Sequence, residues 1–219
     1  MNPINTNTWN RIRYSAWEPM YDVLTTPFRK DRSRSIERLG IQSTDRVLLV
    51  GAGTGLDLEL IPTAQDVLAT DITPAMVRRL ERRLKRAGLP GEARIMDAQR
   101  MDLPDVSFDK VVLNLILAVV PDPVKVIREA ERVLTPDGRI VVFDKFVPPD
   151  APITVGRRAL NAVTAPLFST IDRRFEDILR NTDLAVERDE KASIGLDYRI
   201  IVLRKSPTAG GSRINSLPE

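Results

Sequence analysis

The chain has 219 residues, 42% of them hydrophobic and 29% charged, with a formal net charge of +3. It has no cysteine and no histidine, which excludes disulfides, thiolate or imidazole metal sites, Ser-His-Asp triads and a histidine general base. The length suits one domain with an elaboration, no apolar run reaches the roughly 20 residues that span a bilayer, and so mild a charge is no nucleic-acid footprint by itself.

Residues 1–8 are polar. From Trp9 to Leu39 the pattern is helical, broken at Pro27. Trp9, Ile12, Arg13, Ala16 and Trp17 form one stripe, and Met20, Tyr21, Leu24 and Phe28 continue it. This predicts an N-terminal helical extension or lid over 1–40. Trp and Tyr beside Arg also suit a membrane interface. The first residues lack a signal-peptide core, so a cytoplasmic protein is expected, with peripheral contact at the inner membrane face open to this helix.

Arg46 to Val50 reads as a buried strand that ends in Gly51-Ala52-Gly53-Thr54-Gly55. A short helix follows to Ile61. Asp66 to Thr70 is the second strand and runs into Asp71. Thr73 is an N-cap candidate with Pro74 at the first helical position, and Gly88 stops the helix after Ala87. Its arginines, Arg78 to Arg86, read as a solvated face. Ala93 to Met96 is a short third strand before Asp97-Ala98, and Lys110 to Asn114 is an apolar fourth. Pro121 to Leu134 is helical, with Asp122 near its start. Residues 135–138 read as a turn, and Arg139 to Phe146 as the fifth strand.

Pro148, Pro149 and Pro152 mark a loop. Helices are expected over 157–168 and 174–181, then strands over 185–192 and 198–205. The short link at Gly195 suits an antiparallel pair at one edge. Strands alternating with helices through residue 146 imply a doubly wound, mostly parallel seven-stranded sheet. The domain spans 41–205, and 206–219 is expected to be a flexible tail.

In such a sheet, ligands bind outside the carboxyl ends of the strands. The residues there are the glycine turn, Asp71, Asp97 with Ala98, Asn114 with Leu115, and Asp144 with Lys145. Asp71 lies about 20 residues beyond Gly51, which suits a carboxylate accepting from a ribose diol. A dinucleotide fingerprint would need its third glycine at Leu56, which disfavours a nicotinamide oxidoreductase. Asp97 is placed to meet an adenine amino group, and the Ala98 amide to donate to a ring nitrogen.

The stretches VLLVGAGTGLDLELI, VLATDITPAMVRRLERRL, RIMDAQRMDLPDVSFDKVVLNLILAVVPDP and REAERVLTPDGRIVVFDKF resemble, in order and spacing, the motifs of class I S-adenosylmethionine-dependent methyltransferases. They are most similar to the type 11 branch, which includes quinone-biosynthesis C-methyltransferases and bacterial phospholipid N-methyltransferases. The resemblance covers about residues 20–205. It implies an α/β, Rossmann-like sheet with an antiparallel edge strand and an N-terminal helical lid, and S-adenosyl-L-methionine as cofactor. Gly51, Gly53 and Gly55, with Ala52 and Thr54 in the same turn, would approach the methionine part. Asp71 would hold the ribose and Asp97 with Ala98 the adenine, between Ile72 and Met101. Asn114 and Leu115 would lie near the methyl donor, and Tyr14 or Tyr21 would close over the cofactor. Tyr21, Asn114 and Arg173 are the catalytic candidates, and no metal is expected.

The acceptor pocket is expected from the N-terminal helices and residues 147–175. That stretch sets Arg157, Arg158, Arg173 and Arg174 among Leu160, Val163, Leu167, Phe168 and Phe175. Apolar walls with guanidinium groups suit an amphiphile bearing phosphate or carboxylate. A phospholipid headgroup amine, a quinone precursor or a secondary metabolite are the acceptor classes. Asn114-Leu115-Ile116-Leu117 is not the Asn/Asp-Pro-Pro-aromatic motif of base-amino methyltransferases, which argues against nucleic acid. A catalytically silent S-adenosylmethionine-binding or membrane-surface protein is the rival reading, and the oligomeric state stays open.

Overall fold

The computed structural model describes residues 6–8, 25–148, 173–195 and 197–206. Helix α1 (Arg29–Leu39) follows a 3-10 turn at Thr26–Phe28 and stops where Gly40 turns left-handed. Strand β1 (Arg46–Val50) leads through the glycine turn into a 3-10 helix at Leu56–Leu60. Then come β2 (Asp66–Asp71), α2 (Pro74–Ala87) and β3 (Gly91–Ile95). They are followed by β4 (Phe108–Asn114), α3 (Pro123–Val133) and β5 (Leu134–Lys145). A short helix α4 (Phe175–Leu179) precedes β6 (Leu184–Lys191) and β7 (Tyr198–Lys205).

The seven strands form one sheet in the order β3-β2-β1-β4-β5-β7-β6. The first five pair in parallel, while β7 runs antiparallel to both β5 and β6. The antiparallel pair at that edge therefore has β7 on the inside and β6 outermost. Both faces are covered, which is why β1 and β4 are apolar without alternation. Val47 and Leu49 pack with Ile36 and Leu39 of α1 and Leu80 and Leu84 of α2. Leu48 and Val50 pack with Val126, Ile127 and Ala130 of α3 on the opposite face. Each such fully buried Leu or Ile contributes about 2 kcal/mol.

Three local expectations shift. Strand β3 begins at Gly91, in register with Val67, where a Cβ would collide with the Val67 backbone; only glycine fits that approach. Residues 135–138 are not a turn but an irregularity within β5, where pairing jumps from Phe108–Leu134 to Lys110–Arg139. Pro136 is tolerated there because the bulged residues leave the ladder. Helix α4 is shorter than expected at both ends.

Helix α1, the longest described element of the expected N-terminal extension, belongs to the domain's own helical layer. Ile36 and Leu39 are buried, and Arg32 pairs with buried Asp57 at 2.8 Å. Asp31 accepts from Ser193 N at 2.7 Å and Ile194 N at 2.9 Å, tying α1 to the β6–β7 link. Arg34 and Arg38 reach Glu190. On α2, Arg78, Arg82, Lys85 and Arg86 are exposed, opposite the buried Met76, Val77, Leu80 and Leu84. Trp9, Tyr14, Trp17, Tyr21, Arg157, Arg158, the helix expected over 157–168 and the tail beyond 206 lie outside the described residues. Among the described residues, no helix is long and apolar enough to cross a membrane, and no group of three acidic side chains could hold a metal ion.

Candidate active site

The chain builds β1, β2 and β3 outward in one direction, then returns to place β4 on the other side of β1. A crevice opens where the order reverses, at the carboxyl ends of β1 and β4. A cleft with about 620 Å³ of empty space, its open mouth included, lies there.

Gly51 and Gly53 form its floor, in left-handed conformations with φ of +63° and +58°. A Cβ on Gly51 would run into the side chain of Ile116. The turn is closed by Ala52 N to Thr70 O at 2.8 Å and Gly55 N to Ala52 O at 3.0 Å. Gly55 faces away from the cleft. A Cβ there would sit 2.8 Å from Leu80 Cδ2, so this glycine lets the turn dock on α2. Thr54 is wholly buried, and neither it nor Ala52 lines the cleft.

Asp71 is tied into the turn. Its Oδ2 accepts from Gly53 N at 3.0 Å, and its Oδ1 accepts from Thr73 N at 2.8 Å. Thr73 holds the N-cap position of α2 without a capping bond from its own side chain; the Asp71 carboxylate takes its backbone N–H instead. Burial raises the Asp71 pKa, and the Thr73 and Gly53 N–H groups oppose that rise. A carboxylate offers about four acceptor positions, so two such bonds leave room for a diol.

Asp97 sits across the cleft. Its Oδ2 accepts from Asn7 Nδ2 at 2.7 Å, and its Oδ1 from Gln99 N at 3.0 Å. Gln99 Nε2 also reaches Asn7 Oδ1 at 3.1 Å, and Gln99 Oε1 accepts from Asp122 N at 3.0 Å. Asn7 and Gln99 had no signal in the sequence, since a polar residue outside any periodic stretch looks like linker. Ile72, Met76, Met96 and Ala98 supply the apolar surface between the two carboxylates. Met101 is not part of it. It is packed in the core, with its N–H donating to Glu129 Oε2 at 2.7 Å.

The wall after β4 departs most from expectation. Leu115 lines the cleft and is left-handed, with φ +59°, at a cost of about 1 kcal/mol for a residue with a Cβ. Asn114 points to the opposite face of the sheet, where its Nδ2 donates to Ser35 Oγ of α1 at 3.0 Å. It is buried and does not line the cleft. Strand alternation explains this, because Leu113 faces the α3 side and the next residue, Asn114, therefore faces α1. Arg173 does not line the cleft either. It donates to Leu117 O and, at 2.6 Å, to Val120 O. Buried Asp144, at the end of β5, accepts from Ala118 N at 2.9 Å and Lys145 N at 2.8 Å. Burial pushes its pKa up to about 6, against the pull of those N–H groups and the charges of Lys145 and Arg173. The Tyr198 hydroxyl is pushed up to about 12 by burial and by the Asp144 charge.

A family model described as a methyltransferase domain matches residues 48–142, the stretch that builds this cleft. The chain is also 33% identical over 206 residues to a phosphatidylethanolamine N-methyltransferase of Cereibacter sphaeroides, covering 90% of each protein. The chain belongs to the S-adenosylmethionine-dependent methyltransferases, in the type 11 family. A ubiquinone/menaquinone biosynthesis C-methyltransferase of Citrifermentans bemidjiense is 29% identical over 154 residues, 65% of each chain. Among solved structures, a geranyl diphosphate C-methyltransferase of Streptomyces coelicolor A3(2), in complex with S-adenosyl-L-homocysteine, aligns with a TM-score of 0.67. It covers 80% of this chain and 78% of its own at 14% identity, a likeness of fold. The methyltransferase takes S-adenosyl-L-methionine as cofactor, and its Rossmann-like sheet is that of its relatives.

Proposed function

We propose that this methyltransferase transfers a methyl group to the amine of a phospholipid headgroup, with the cofactor held in the cleft between the glycine turn and the wall after β4. The observation that carries the acceptor class is the end-to-end similarity to the phosphatidylethanolamine N-methyltransferase, over 90% of both chains. The acceptor pocket is expected from the N-terminal segment and from the stretch between β5 and β6, outside the central motifs. Similarity of that extent must include much of both.

The residues present fit the cofactor. The cleft pairs a carboxylate suited to a diol, Asp71, with a second suited to an amino group, Asp97, about an apolar slot. S-adenosylmethionine supplies an electrophilic methyl group on a sulfonium. The chain's own task is to bind, orient and exclude water. Gly51 and Gly53 would bring backbone close to the methionine end. Asp71 would accept from the ribose, Asp97 from the adenine amino group, and Ala98 would donate to the ring. Ile72, Met76 and Met96 would flank the base. Leu115 and Ile116 would keep water from the side of the cleft that holds the methyl donor. Tyr14 and Tyr21 remain proposed closing residues. The headgroup amine would react through its minor neutral form, its proton passing to water, so no histidine is required. The acceptor's lipid nature also implies work at a membrane surface from the cytoplasmic side, through the N-terminal segment.

The quinone-biosynthesis relative favours a second reading, in which a quinone precursor takes the methyl at carbon. A labelled-methyl assay against phosphatidylethanolamine vesicles, demethylquinone and cell extract, read by mass spectrometry, separates the two. Label in a mono-, di- or trimethylated headgroup is the expected result. Label only in a quinone would replace the proposal, and label in neither acceptor nor extract would support a silent cofactor-binding protein.

A further inference from the structure

Segment 115–120, between β4 and α3, supplies Leu115, Ile116, Val119 and Val120 to the cleft. It is a single turn, with Val119 N and Val120 N both donating to Ile116 O. It opens with the left-handed Leu115, and its own bonds leave the carbonyls of Leu117 and Val120 for other partners. Those partners come from far along the chain. Arg173 takes both carbonyls with one guanidinium, a fork a single ammonium cannot reproduce. Asp144 holds the Ala118 N–H from the other side. Leu115 N is fastened to Phe143 O at 2.7 Å, one residue before Asp144.

The position of Arg173 matters as much as its bonds. Val147 N donates to Arg173 O at 2.8 Å. β5 ends at Lys145 and α4 begins at Phe175, so this bond joins the residues just after β5 to those just before α4. The residue that makes this junction also carries the guanidinium that holds the cleft wall.

We propose that Arg173 and Asp144 are positioning residues that clamp segment 115–120, and that through Arg173 the junction of Val147 with Arg173 sets cofactor affinity. Neither residue touches the cleft; both act through the wall. This deepens the cofactor reading above and rests on it for the affinity part. It also changes the meaning of Arg173, which the sequence pattern placed as an acceptor-side catalytic group.

The test compares Arg173→Gln and Arg173→Lys with Arg180→Gln, which removes the same charge from an exposed pair with Asp177. Hydrogen exchange is followed over 115–120 and over β1 and β2, alongside calorimetry with S-adenosyl-L-homocysteine. In Arg173→Gln, exchange in 115–120 should quicken about tenfold with β1 and β2 unchanged, and affinity should fall about tenfold, or about 1.4 kcal/mol. Arg173→Lys should fall between, and Arg180→Gln should match wild type. Unchanged exchange in 115–120, equal acceleration in every strand, or faster exchange at unchanged affinity would each overturn the proposal. If Arg173→Gln does not fold, Arg173→Lys is read by the same criteria. A wild-type protein that fails to bind S-adenosyl-L-homocysteine would instead sink the cofactor site, and exchange, which needs no ligand, would then judge the clamp alone.

Discussion

The two walls of the cleft are held in opposite ways. On the β1–β2 side, left-handed conformations fall on Gly51 and Gly53, where they cost little. The bonds there are local in the sheet: Ala52 to Thr70 and Gly53 to Asp71. On the β4 side, the left-handed residue is a leucine, and the wall is kept in shape by side chains 26 and 56 residues away. The first wall is preformed by composition. The second is preformed only by the assembled fold.

The largest effect should come from breaking the cheap wall. Gly51→Val puts a β-branched residue at positive φ and drives its Cβ into Ile116, costing about 3 kcal/mol or more. S-adenosyl-L-homocysteine affinity, by calorimetry, should drop at least about a hundredfold; retained affinity would show that this turn is not the cofactor floor.

Asp144 offers a comparable effect, read through pH. Its folded pKa of about 6 lies above the ordinary 3.8, so the folded protein holds a proton that the unfolded chain has released. Stability from this residue therefore falls as pH rises from about 4 to about 6, and the cost is complete above that. Asp144→Asn removes the titration. Urea unfolding should show wild-type stability declining relative to the variant across that window, by up to about 3 kcal/mol. Asp71, also raised, is present in both proteins and cancels. A difference independent of pH would contradict the buried, charged Asp144.

Asp71→Ala loses the ribose acceptor together with the bonds to Gly53 N and Thr73 N. Affinity should fall about tenfold to a hundredfold, from a charged hydrogen bond worth about 1.5–3 kcal/mol. Unchanged affinity would remove Asp71 from the site.

The smallest effect should sharpen the contrast. Leu115→Gly relieves the left-handed strain, offsetting the lost side chain by about 1 kcal/mol. Melting should therefore shift little, whereas Gly51→Ala in the facing wall should be clearly destabilising. A large loss at Leu115→Gly would mean that side-chain packing, and not backbone strain, dominates this wall.

Much of the fold was legible because its signals are local. β1, α2 and β7 lie at their expected bounds, since apolar runs and glycine or proline punctuation act within a few residues. The 135–138 stretch was not, because Thr-Pro-Asp-Gly has turn chemistry while the pairing of its flanks, Leu134 and Arg139, with β4 keeps it within the strand. Asn114 was placed by its position at a strand end; alternation from Leu113 sends its side chain to Ser35, and the left-handed residue that follows, Leu115, reaches the cleft. Asn7 could not be seen at all, since only the fold brings it 2.7 Å from Asp97.

The sequence by itself determined the order of strand, glycine turn, acid and strand, and with it the sheet, the cofactor and the enzyme family. The sheet follows from residue types at short spacing, and the cofactor and family from the resemblance of those motifs to the class I methyltransferases. Tertiary structure alone decided which strand-end side chains face the cleft, that Gly55 packs on α2, and that Arg173 and Asp144 hold a wall. Those outcomes depend on register and on contacts between residues far apart in the chain, and no local pattern encodes either.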